Sequence, residues 1–100
     1  MSTVQEKFTL LQEVSYNDRH LDLMAAKLLR FILADYLTRL KPYQQALQQF
    51  EAQYNMPSVV FYPQFEQGLL GDNMDFFEWA GIFELQQALL IKIKRLELAL

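Results

Sequence analysis

"LLRFILADYLTRLKPYQQALQQFEAQY", residues 28–54, decides the fold. Leu29, Tyr36, Tyr43 and Phe50 follow one another at intervals of seven, and so do Ala26, Leu33, Leu40, Leu47 and Tyr54. Interleaved, the two rows place an apolar residue at alternating steps of three and four. That spacing is the seam along which helices pack side by side. Pro42 lies inside the run, where it removes one backbone hydrogen bond and crowds the preceding turn. The seam nevertheless keeps its phase across Pro42, which falls off the apolar face. A loop between two helices would lose that phase in most cases. The pattern therefore predicts one long helix over about 18–54, kinked near residue 42. Some 35 helical residues span roughly 50 Å, whereas a compact chain of this length has a radius of gyration of about 13 Å. A straight helix of that length projects from its own domain, unless the kink folds it back or another chain flanks it.

The rest of the composition fits a small helical domain with apolar surface to spare. The chain has 100 residues, of which 52% are hydrophobic and 14% aromatic. One domain is expected, and the surplus of apolar side chains implies a very full core or a face covered by a second polypeptide. The net charge of −3 opposes direct nucleic-acid binding, which needs clustered Lys and Arg. No cysteine is present, so disulfides and thiolate chemistry are excluded. The N-terminal "MSTVQEKFTLLQEV" lacks the apolar core of a signal peptide. The greasiest run, "LDLMAAKLLRFILADYL", is broken by Lys27 and Arg30 and is too charged to cross a membrane. A soluble, cytoplasmic protein is expected.

Five of the six Gly and Pro residues lie between Pro57 and Gly81, so the remainder reads as nearly continuous helix. Thr3 with Glu6 fits a capping box and opens a first helix over about 3–14, with Val4, Phe8 and Leu11 on one face. "SYND", residues 15–18, reads as the break, with Asn17 or Asp18 capping the long helix. Residues 57–67 read as a short helix: Ser58 can cap, Pro57 suits a first turn, and Gly68 suits a C-terminus. The β-propensity of "VVFY" is the competing signal. The last helix covers about 75–98. Ile82, Leu85, Leu89, Ile93 and Leu96 form its main stripe, with Phe76, Trp79, Phe83 and Leu90 beside it. The fold class predicted is all-α, a small helical bundle with one long kinked helix and a C-terminal helix, associating as a homodimer.

"GDNMDFFEWAG", residues 71–81, gathers acids and aromatics at the start of that last helix. With Asp75 as N-cap, Glu78 completes a capping box and Met74 can staple onto Trp79. Both acids also suit the positive end of the helix dipole. Capping and core packing thus explain Met74, Asp75, Glu78 and Trp79 without a substrate. A carboxylate pair alone is a weak catalytic motif. Asp72, Asp75 and Glu78 offer too few oxygens for calcium, and zinc would want histidines or cysteines. His20, the only histidine, is remote in sequence. With no nucleophile set and no phosphate loop, neither an enzyme nor a bound cofactor or metal is expected. Phe77 is left over. With Gly81 and Ala88 it forms a strip of small residues headed by an aromatic, on which another backbone could dock, with Asp72 beside it. Residues 57–70 of the same chain are the alternative cover. Lys92, Lys94 and Arg95 form a basic turn that faces water and complements the dipole.

The span "QYNMPSVVFYPQFEQGLLGDNMDFFEWAGIFELQ" resembles small helical antitoxin components of bacterial and archaeal toxin–antitoxin operons. The match rests on Tyr54, Met56, Ser58, Phe61, Phe65, Glu66, Gly68, Asp75, Phe77, Glu78 and Trp79. It covers about the C-terminal half and the helical pattern before it. Asn55 stands where glycine is common, though Asn tolerates left-handed backbone; Pro63 is a further departure. The resemblance implies a protein that neutralises a toxin from an adjacent gene by direct binding. Its acidic charge would suit a basic, nucleic-acid-handling partner. A stand-alone helical homodimer acting as scaffold is the alternative from the residues alone.

Overall fold

The structure is a computed structural model and describes residues 3–15 and 19–100. Among the described residues the chain is all-α, with four helices: α1 (Val4–Ser15), α2 (Arg19–Tyr54), α3 (Ser58–Glu66) and α4 (Met74–Ala99). The long helix is continuous through Pro42, whose side chain is exposed while Leu40 and Leu47 on the seam are buried. At 1.5 Å per residue its 36 residues come to ~54 Å, which matches the 55 Å long axis of the molecule. Asn17 and Asp18, the expected caps of α2, lie outside the described residues.

α2 and α4 run antiparallel. Tyr54 meets Asp75 and Phe76, Leu47 lies with Phe83, and Ile32 and Tyr36 lie with Lys92, Arg95 and Leu96. α3 fills the angle between them at one end. There Leu47, Phe61, Trp79, Ala80 and Phe83 form the buried core, flanked by Phe50, Tyr54, Phe65 and Phe76. Leu85, expected on the main stripe of α4, points away from this core and is exposed; Ile82, Leu89 and Leu96 are half-buried.

Local signals set the helix ends. Glu6 N–H donates to Thr3 Oγ1 at 3.1 Å, the expected cap of α1. α2 ends on Asn55 at φ 50°, and Met56 N–H bonds back to the Glu51 carbonyl. α3 ends likewise: Gly68 sits at φ 73°, with Gly68 N–H on Phe65 and Leu69 N–H on Gln64. Both are left-handed closures that satisfy the last carbonyls of a helix. Asn55→Leu forces a branched side chain into that conformation and is expected to cost about 1–2 kcal/mol in urea unfolding, with Asn55→Gly nearly neutral.

The roles at the start of α3 are exchanged relative to expectation. Pro57 holds the N-cap position at φ −65°, ψ 146°, and offers no side-chain acceptor. Ser58 is the first helical residue. Its N–H is satisfied from α2, by Glu51 Oε2 at 2.7 Å, which frees its hydroxyl to turn inward.

Candidate functional site

Trp79 organises the core end. It is fully buried, and its neighbours come from both of the helices that pack on α4. Phe61 of α3 stacks flat on the indole at 3.7 Å between centroids and 3° between planes. Phe50 and Tyr54 of α2 lie near-parallel to it at 5.6 and 5.8 Å. The indole N–H donates to Ser58 Oγ at 2.9 Å, so the buried polar atoms of both side chains are paired. Ser58→Ala leaves that N–H buried without an acceptor, and a loss of about 1–3 kcal/mol is expected from thermal or urea unfolding.

Four carboxylates brace this end. Glu51 caps α3, as described above. Tyr54 Oη donates to Asp75 Oδ2 at 2.5 Å, and Gln53 Nε2 reaches the same oxygen at 3.5 Å. Tyr62 Oη donates to Glu84 Oε1 at 2.6 Å, with Glu66 on its other side. The bond to Asp75, with burial and the negative charge beside it, holds the Tyr54 phenol above its ordinary 10.0. Glu66 first, then Glu84, holds Tyr62 far above. The fold thus favours the protonated phenols, and the stability this contributes is present below the ordinary tyrosine value and is lost as pH rises through the raised one.

Asp75 is therefore not the N-cap of α4. Asn73 takes that place, its Oδ1 accepting from Asp75 N–H at 2.9 Å, and the helix begins at Met74. Asp75, moved into the first turn, is free to bind Tyr54 instead. The expected staple is also absent: Met74 is 78% exposed and does not cover the buried Trp79. Glu78 is exposed on the outer face. Asp72, Asp75 and Glu78 do not converge, and among the described residues no group of three or more His, Asp and Glu is placed to hold a metal.

Phe77 stands half out of the surface at 53% exposure, touched edge-on by Phe65 of α3 at 5.2 Å. Residues 57–70 thus support one end of the strip and leave the rest open. A Cβ on Gly81 would meet nothing within 4 Å, and Ala88 is exposed. Asp72 is exposed in the loop before α4. Val59, Leu69 and Met74 are exposed on the same end of the molecule.

Charge is segregated to match. From Pro42 to Ile91 the chain carries Glu51, Glu66, Asp72, Asp75, Glu78 and Glu84 and no Lys or Arg. The antiparallel packing of α2 and α4 folds that whole stretch into one end. Its hydrogen-bond partners (Tyr54, Gln53, Tyr62 and the Ser58 amide) are neutral, so the negative charge is not cancelled. Lys92, Lys94 and Arg95 sit beyond it, level with the middle of α2, as does the Arg39–Asp35 ion pair at 2.9 Å.

No family model matches the chain, and no curated protein or solved structure is detectably similar to it. The site is thus read from its own chemistry. It offers exposed aromatic and aliphatic side chains on a rigid base, within a uniformly acidic field. No helix among the described residues is long and apolar enough to cross a membrane. The sequence reading singled out Phe77, Gly81, Ala88 and Asp72, of which Phe77, Ala88 and Asp72 are exposed. It missed Val59, Leu69 and Met74, because their exposure depends on how α3 seats on α4.

Proposed function

We propose that this chain is a non-catalytic protein-binding module whose acidic, aromatic end docks a basic partner protein. The observation that carries the reading is the coincidence of six carboxylates, no cation and exposed Phe77, Met74, Leu69 and Val59 on one end. Apolar anchors supply binding energy once desolvated, and the surrounding charge steers association and selects a partner of opposite sign. Combined with the resemblance of residues 53–86, the reading becomes an antitoxin-like protein. It would hold a toxin encoded next to it in an inactive complex, covering a basic surface that would otherwise engage nucleic acid. The partner contact is made by Phe77, with Gly81 and Ala88 allowing close approach and Asp72 adding charge.

Co-expression with the product of the neighbouring gene tests this. The two chains are expected to co-purify, the complex to weaken as salt rises through the range where surface charges are screened, and the pair to restore growth that the neighbour alone arrests. A neighbour that is harmless and unbound would remove the reading.

A further inference from the structure

The opposite end of the molecule carries a different exposed face. Leu96 of α4 lies level with Ile32 and Tyr36 of α2. α2 continues for thirteen residues on the N-terminal side of Ile32 (32 − 19), with α1 packed against it. Along that projecting part Met24, Leu28 and Phe31 recur at steps of four and three and so share one helical face. Phe31 lies half a turn around the helix from the buried Leu40, so α4 cannot reach it. It is 72% exposed, and Met24 and Leu28 are about half exposed. Phe8 and Leu11 of α1 are also about half exposed.

We propose that this face of α2 is the interface between two copies of the chain. Area is the first argument. The chain exposes 7916 Å², whereas a compact chain of 11.8 kDa exposes about 5,900 Å². The excess of roughly 2,000 Å² is more than the ~800 Å² per partner that a stable interface covers. It leaves room for a second interface at the acidic end. The radius of gyration of 19.3 Å, against about 13 Å for a compact chain, has the same origin.

Charge selects the occupant. Two copies cannot meet through their acidic ends, since each carries six carboxylates and no cation over residues 42–91. Residues 1–41 carry six bases and five acids, a near-balanced surface on which a copy meets no net repulsion. Association there turns the two acidic ends outward and apart. The dimer would then present two independent partner sites, and its existence does not depend on what those sites bind.

The test uses the full chain alone. Sedimentation equilibrium over a micromolar to near-millimolar range is expected to give twice the chain mass (2 × 11.8 = 23.6 kDa). The double variant Leu28→Arg, Phe31→Glu is expected to halve that mass with unchanged helical circular dichroism. Because the chain has no cysteine, Phe31→Cys provides a second readout that does not rely on disruptive charges. It is expected to oxidise to a disulfide-linked dimer, while Phe77→Cys under the same conditions stays monomeric on a denaturing gel. A wild-type mass of 11.8 kDa throughout would overturn the proposal. So would a dimer that survives the double variant and is cross-linked by the Phe77→Cys substitution but not by Phe31→Cys. A monomeric chain whose α2 face binds only a different protein would also overturn it.

Discussion

Replacing Trp79 by alanine is expected to cost about 3–5 kcal/mol of folding stability, the range for a large aromatic removed from a core. Small domains are stable by only about 5–15 kcal/mol, so the loss removes a large share of the total. The reason is connectivity as well as size. Phe50 and Tyr54 from α2, Phe61 from α3 and Trp79 from α4 meet around one indole, so its loss uncouples three helices together. Ser58 Oγ also loses its donor at a buried position. Urea unfolding followed by circular dichroism measures the effect. Trp79→Phe restores part of the stacking but not the hydrogen bond, and is expected to fall between wild type and Trp79→Ala. A loss below about 1 kcal/mol for the alanine variant would mean that the aromatic cluster does not hold this end together.

Phe77→Lys is expected to do the reverse. Phe77 is half exposed and touches Phe65 edge-on, so its removal changes folding by less than about 1 kcal/mol. Binding of the co-purifying partner should fall by at least about a hundredfold. That corresponds to ~2.7 kcal/mol, within the range for an aromatic anchor at the centre of an interface. A lysine at this position also sets a cation at the centre of the acidic end, where it repels a basic partner locally. Phe77→Leu keeps the apolar contact and the field, and should lose much less. Isothermal titration with the partner, alongside urea unfolding of the free chain, separates the two effects. Unfolding by the Phe77 change with unchanged binding would assign this residue to the core.

Some of this was readable directly from the residues. The heptad rows through Leu40 and Leu47 specified α2 across Pro42, because phase along a seam is a local property that one proline does not erase. Gly68 marked the end of α3, because few residues tolerate positive φ, and Asn55 closes α2 in the same way. The start of α4 was misplaced by a contest between near equals. Asn73 and Asp75 are comparable caps, and what decides is a tertiary bond from Tyr54 that draws Asp75 into service elsewhere. Two further contacts join distant positions. Glu51 caps α3 from another helix, and Ser58 is taken up by an indole 21 residues away. The absence of cations over residues 42–91 is visible in one line of sequence. It acquires meaning only when antiparallel packing brings both halves of that stretch to the same end.

Hydrogen exchange of the isolated chain across a concentration series addresses the central claim most directly: that one end is complete in a single chain and the other is finished by a second. Amides of α3 and of the facing parts of α2 and α4, around Leu47, Phe61 and Trp79, should be slow at every concentration. Those of α1 and of the first turns of α2, through Phe31, should exchange fast when dilute and slow markedly as the concentration rises. Equal protection of both ends in dilute solution, with no change on concentration, would contradict it.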